Sequence, residues 1–398
     1  MSLSASPCIN HSRAFQWAQL LIVTSIHFYV DIFASMMAAL LPEVREIFHL
    51  SLTRGLELIV ILGLVCNGMQ ILTGHLRAQK QRPVFMPLGL ILGSSMSFLA
   101  ILADMDNYRL YLYLMVIVSG TGIALVHPEG LRAIHNLEKI PSSISTAVFM
   151  TGGFVGYAGG AWISTEIVIR WGMKGLLWLP VCTIMSVVMM VIMKIRLAVE
   201  TEEDNENTRQ VAPDVYRIPF WPIFVMTVFS SISTTVIVGM LPTLLNELEF
   251  ALDFGGFSVM VLGVAGAIGS LAWGGWAHRK GELQCCVWAL FLGLPFFVAY
   301  QFLLGERGAF WVLVPAGFCS VAAYPLMVTL ARHCQWSSLG QRMALVVGGA
   351  WGIAAVALWI VGPIAEHIGV KTVMNFAWLG YLTAGIIGIY LKTKWKTC

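Results

Sequence analysis

Twelve stretches of the chain are almost continuously apolar, each about twenty residues or longer, with short polar connections between them. They run at 16–42, 57–76, 83–103, 109–128, 141–166, 174–195, 218–246, 254–277, 283–304, 308–331, 339–365 and 371–391. At a rise of about 1.5 Å per residue, some twenty helical residues span a hydrocarbon core of roughly 30 Å. Lipid offers no partner for backbone N–H and C=O groups, so each stretch is predicted to be a helix. The pattern predicts an all-α integral membrane protein with about twelve transmembrane helices. The first stretch is too long for the apolar region of a signal peptide and lacks a small-residue cleavage site, so it is expected to be retained.

Residues 198–217 interrupt the pattern with Glu200, Glu202, Glu203, Asp204, Glu206 and Asp214. Such a stretch buries too little apolar surface to order itself and reads as a solvated linker. It separates six spans (1–197) from six spans (218–398), and the halves repeat. Leu41-Pro42 returns as Leu241-Pro242, Gly74 as Gly275, His127-Pro128 as Tyr324-Pro325, and Gly152-Gly153 as Gly348-Gly349. The offsets, 200, 201, 197 and 196, are nearly constant. Two pseudo-symmetric six-helix bundles are expected.

Charge sets the orientation. With the N-terminus inside, 17 of the 24 lysines and arginines fall in inner segments and 7 in outer ones. Basic residues favour the cytoplasmic side, so both termini are expected there, in a multi-pass protein of the plasma membrane. Charged residues make up only 11% of the chain against 58% hydrophobic, too few to solvate a globular surface of this size. The net charge of +3 is small and scattered, which argues against a nucleic-acid partner. The eight cysteines form no CxxC pair or zinc-like spacing and read as small packing residues. No cofactor or metal is expected, and nothing in the sequence calls for more than a monomer. Trp171, Trp311 and Trp395 lie near span ends, where tryptophan suits the membrane interface.

Asp31 is the one Asp, Glu, Lys or Arg deep within any of the twelve stretches. A charge there costs roughly 3 kcal/mol on insertion scales, and such residues usually face a cavity or a partner. His27 lies four residues earlier and so on the same helix face. Together they form a candidate proton-coupling pair; the alternative is a static hydrogen-bonded pair that tightens packing. His127, Glu129 and Arg132 end the fourth span around Pro128, which removes a backbone donor and predicts a kink. His127 and Arg132 could receive an anionic solute with Glu129 bridged to Arg132, or the group could form an interfacial gate. Thr234, Thr235, Tyr324 and Trp351 are candidate cavity residues, with packing as the alternative. The glycines of spans 5 and 11 suit close helix contact.

The two-fold six-helix plan resembles the major facilitator superfamily of secondary transporters. The loop after span 2, Gly74-His-Leu-Arg77-Ala-Gln-Lys80-Gln-Arg82, is similar to the family signature G-x-x-x-D-R-x-G-R-R, with Arg77 in place of its aspartate. The second-half copy is Gly275-Trp-Ala-His278-Arg279-Lys280-Gly281, also without the acid. The resemblance implies that Gly74, Arg77, Gly275 and Arg279 belong to conformational-switch loops. Ser25-Ile-His27-Phe-Tyr-Val-Asp31 and Val126-His127-Pro128-Glu129-Gly130 resemble the fosmidomycin-resistance branch. The glycine-rich fifth span, with Tyr157 where a proline is usual, is loosely similar to an antiporter motif.

The branch implies proton-coupled export of a small molecule, by antiport, through a cavity that opens alternately to each side. The expected partners are a solute, protons and the lipid bilayer. An importer, or a receptor or assembly factor on a transporter fold, would carry the same pattern. A metal-dependent membrane enzyme could use His27, Asp31, His127 and Glu129 as ligands. That reading is disfavoured because alignment with the family puts the span 4 group well below Asp31 in depth, and because no HExxH helix exists.

Overall fold

The computed structural model describes residues 12–76, 80–102, 105, 107–199, 218–334 and 339–394. Twelve helical segments follow the apolar stretches: α1 (Arg13–Ala39), α2 (Leu52–Leu76), α3 (Phe85–Leu102), α4 (Tyr108–His135), α5 (Ser142–Trp171), α6 (Met173–Ile192), α7 (Phe220–Glu247), α8 (Leu252–Lys280), α9 (Glu282–Phe302), α10 (Arg307–His333), α11 (Gln341–Ile368) and α12 (Val370–Lys394). Eleven of them are long and apolar enough to cross a membrane. The other, α5, has 30 residues, and its glycines, serines and threonines dilute its hydropathy. Several helices outrun the sequence expectation. α2 starts at Leu52, and α4 runs through Pro128 to His135, so Glu129 and Arg132 lie inside the helix.

An even number of crossings puts both ends of the described chain, residues 12 and 394, on one face, here called the terminal face. Side chains from α1 to α6 build one apolar core and those from α7 to α12 a second. Only a few residues of the first half, among them Leu52, Leu56, Val60 and Ala161, join the second core, because they carry the contact between the bundles. That contact runs through two helix pairs, α2 on α11 and α5 on α8. Large apolar side chains stay exposed around the outside, Trp311 and Phe302 among them, as a lipid-facing surface requires.

Glycine sets the closest approach. A β-carbon at Gly152, Gly156 or Gly160 of α5 would collide with Thr24, Phe28 or Ile32 of α1. The spacing of four places these glycines on one face and lets the two backbones touch. On the side facing the other bundle, Gly256 and Gly263 of α8 meet Ala161 and Ala158 of α5 in the same way. α5 is therefore held between α1 and α8. At the face away from the termini the bundles are tied by the Thr53 N–H, which donates to Glu366 of α11 at 2.8 Å, and by Gly362 against Leu56. Toward the terminal face, Gly68, Gly274 and Gly275 have nothing near the place of a β-carbon.

Pro128 does not end α4. It has no N–H for the Ala124 carbonyl one turn back, and the Thr73 hydroxyl of α2 lies 3.4 Å from that carbonyl instead. α10 and α11 each contain a π-helical turn, Gly317–Val321 and Ala344–Gly349. Gly275 and Arg279, expected in a loop, stand in the last turns of α8, which ends only at Gly281, with φ of 82°. Three basic side chains at a helix C-terminus suit its dipole, and glycine alone takes that φ without strain. Gly74 is likewise helical, and Arg77 lies outside the described residues, as do Trp395 and most of the 198–217 linker. Among the described residues six cysteines are free thiols.

Candidate functional site

The helical period puts His27 and Asp31 on one face of α1, and their side chains meet, Nε2 to Oδ2 at 3.3 Å. α4 supplies the third member. His127 Nε2 lies 3.3 Å from the other carboxylate oxygen, Oδ1. For His127 this corrects the expectation, drawn from alignment with the family, that the span 4 group sits well below Asp31: an alignment ignores helix tilt and side-chain reach. The two imidazoles stand edge to face, centroids 5.0 Å apart.

The far nitrogens fix the chemistry. His27 Nδ1 lies 2.9 Å from the Phe149 carbonyl of α5, and His127 Nδ1 lies 2.8 Å from the Ile123 carbonyl of its own helix. A carbonyl oxygen can only accept, so each Nδ1 carries the hydrogen and each Nε2 of a neutral ring presents a lone pair. Both lone pairs then point at one carboxylate. Three acceptors facing one another repel unless positive charge sits among them. Chemically, the arrangement can take up a proton or another cation.

α5 presses the cluster into place. The His27 ring stacks on Phe149 with centroids 4.1 Å apart. Gly153 is where the chain yields, since a β-carbon there would run into the His27 ring and lie 2.7 Å from Asp31 Oδ2. His27 is sealed, with 4% of its side chain exposed, whereas Asp31 and His127 keep 14% and 21%. The donor atoms of His27, Asp31 and His127 all lie within 4.8 Å of one another, and among the described residues they are the group with metal-ligating geometry.

Glu129 and Arg132 take another direction. The Glu129 carboxylate accepts from the Val84 and Met86 N–H groups at 3.0 and 2.8 Å, capping the start of α3. Arg132 donates to the Ala198 and Lys80 carbonyls at 2.7 to 2.9 Å. Both residues are buried and fasten the connection before α3 and the segment after α6 onto α4. His127 shares neither anchor. The sequence grouped the three by proximity, but on a helix His127 points away from residues two and five positions on.

In the second bundle the Thr234 hydroxyl lies 2.8 Å from the Tyr381 hydroxyl of α12, a packing contact between helices, and Thr235 is half-buried. The Tyr324 and Trp351 rings meet edge to face at 5.3 Å, joining α10 to α11. By the repeat offsets, Asp31 corresponds to Ser231, His27 to Thr227 and His127 to Tyr324. The Ser231 hydroxyl is buried without a hydrogen-bond partner among the described residues. The carboxylate–imidazole cluster thus belongs to the first bundle, and the matching place in the second is neutral.

The major facilitator superfamily model matches residues 23–334. The chain belongs to the major facilitator superfamily. It is 23% identical over 391 residues to an MFS-type transporter of Bacillus subtilis (strain 168), YfnC, covering 95% of this chain and 93% of that one. It is 21% identical over 376 residues to the fosmidomycin resistance protein of Escherichia coli (strain K12), covering 92% and 90%. A bacterial homologue of the human lysosomal transporter Spinster, inward-facing and unoccupied, has the same fold, with a TM-score of 0.73 at 12% identity over 97% of this chain and 98% of that one. A POT family transporter in complex with a thioalcohol-conjugated peptide has a TM-score of 0.67 at 14% identity over 98% of both chains. The chain is a secondary transporter of the membrane and not an enzyme.

Proposed function

We propose that this protein exports a small molecule in exchange for protons, with Asp31, His27 and His127 as the proton site. The observation that carries the reading is the convergence of two Nε2 atoms on one carboxylate, with both Nδ1 atoms held by main-chain carbonyls. One or two protons relieve that repulsion. Asp31 and His127 keep enough exposure to exchange them with a water-filled cavity, while His27 stays sealed behind.

The solute binds between the bundles, where repeat-built transporters hold substrates near the midplane. The excess of basic residues on the terminal face makes that face cytoplasmic. The ties at Thr53–Glu366 and Leu56–Gly362 then close the outer side, and the cavity faces in. The name of the E. coli relative supports efflux as the direction.

The test needs no identified solute. Reconstituted protein on a solid-supported membrane should give a transient charge displacement after a pH jump. Asp31→Asn keeps the volume and a hydrogen-bonding group, so it should fold normally and lose the transient at least about tenfold. An undiminished transient in folded Asp31→Asn would remove the proton site from the mechanism.

A further inference from the structure

We infer that the same His27–Asp31–His127 cluster binds one divalent transition-metal ion of the zinc class, in competition with protons. The inference rests on the site geometry and does not need the proton reading to hold.

Zinc binds imidazole nitrogen at about 2.0–2.1 Å and carboxylate oxygen at about 2.0–2.2 Å. Two such bonds at a tetrahedral angle hold their donor atoms about 3.3–3.5 Å apart. Each Nε2 lies 3.3 Å from a carboxylate oxygen, the edge of such a polyhedron. All three donor atoms lie within 4.8 Å of one another, so side-chain movements of up to about an ångström bring them onto one ion.

The second layer fits as well. Imidazoles that hold a metal almost always give their other N–H to a carbonyl or carboxylate, which fixes tautomer and ring orientation. Here the Phe149 and Ile123 carbonyls do this for both rings. The ring of His27 is further braced by its stack on Phe149. Two neutral imidazoles and one carboxylate are borderline donors, which suit zinc and its first-row neighbours and exclude calcium or magnesium, ions that prefer all-oxygen sites. Three protein ligands leave a position open toward the exposed side of Asp31 and His127, for water or a solute donor. Binding displaces the protons held on the Nε2 atoms or the carboxylate to bulk water.

The experiment is a titration of the purified full chain, freed of any affinity tag, with Zn²⁺ against a chelating dye. One ion per chain is expected, and Zn²⁺ should raise the unfolding temperature. Asp31→Asn and His127→Ala should each weaken binding at least about tenfold, as loss of a ligand costs no less than loss of its support. His278→Ala and His367→Ala, exposed and outside the site, should bind as the parent does. Co²⁺ should give a visible absorption band that His127→Ala abolishes, which a folding defect in His27→Ala cannot imitate. Absence of one-to-one binding to the parent chain, or equal affinity in folded Asp31→Asn and His127→Ala, would overturn the inference. pH-jump transients recorded with excess chelator report the proton site alone, so either reading can fail without the other. Zn²⁺ added to the parent should suppress those transients.

Discussion

His27 and His127 make equivalent contacts to the two oxygens of Asp31 and have opposite surroundings. His27 is enclosed, stacked on Phe149 and tied to its carbonyl, so His27→Ala leaves a cavity as well as a lost ligand. Truncating a buried ring costs about 2–5 kcal/mol, depending on how far the site collapses. His127 is partly exposed and bonded within its own helix, so its loss is met by water. His27→Ala is therefore expected to lower the unfolding temperature distinctly and His127→Ala only slightly. Both should change the pH dependence of the charge transient. Thermal unfolding by intrinsic fluorescence separates the two effects, and equal destabilisation would mean that the enclosure of His27 contributes nothing.

Between elements, the decisive contact is α5 on α1. Three glycines, 152, 156 and 160, bring the backbones together, and Gly153 makes room for the cluster. Gly153→Ala puts a methyl group onto the His27 ring and beside Asp31 Oδ2, and overpacking of this kind costs about 1–3 kcal/mol. The displaced imidazole should take the charge transient with it. Gly275→Ala, in open space on α8, should be neutral or stabilising by up to about 1 kcal/mol through helix propensity. Comparing the two variants for unfolding temperature and charge transient checks the assignment. A harmless Gly153→Ala would place the cluster elsewhere. Glu129 and Arg132 also act at this scale, since their bonds reach the main chain of other segments and make α4 the post to which two connections are fastened.

Across the whole molecule, two six-helix bundles meet along α2–α11 and α5–α8, tied at the face away from the termini. The Glu366 carboxylate accepts from the Thr53 N–H at the start of α2, where the helix dipole also favours negative charge. The bond is solvent-exposed, so it contributes about 0.5–1 kcal/mol to the closed arrangement, which shifts a two-state equilibrium by roughly two- to fivefold. Glu366→Ala should raise the population open at that face. Spin labels at the starts of α2 and the ends of α11 should then show a longer distance component in lipid. An unchanged distance distribution would make this hydrogen bond incidental to the alternation. The repeat is chemically unequal, with a carboxylate and two imidazoles in the first bundle and Ser231, Thr227 and Tyr324 at the matching places in the second.

The number of helices, the two halves and the pairing of His27 with Asp31 were readable from the chain itself. Apolar run length is dictated by bilayer thickness, the repeat is preserved as spacing, and a separation of four residues fixes a shared helix face. These are local or periodic properties, which sequence carries directly. Only tertiary structure joined His127 to Asp31, about a hundred positions apart in the chain, because the depth and rotation of one helix against another depend on packing. The same holds for Gly153, which read as a generic contact residue until its missing side chain proved to be the space His27 occupies. It holds too for Thr234, which turned to Tyr381, and for the contacts that Glu129 and Arg132 make to backbone groups, which carry no residue identity. Backbone donors and acceptors are the same at every position, so nothing in a sequence marks which of them a buried charge will choose.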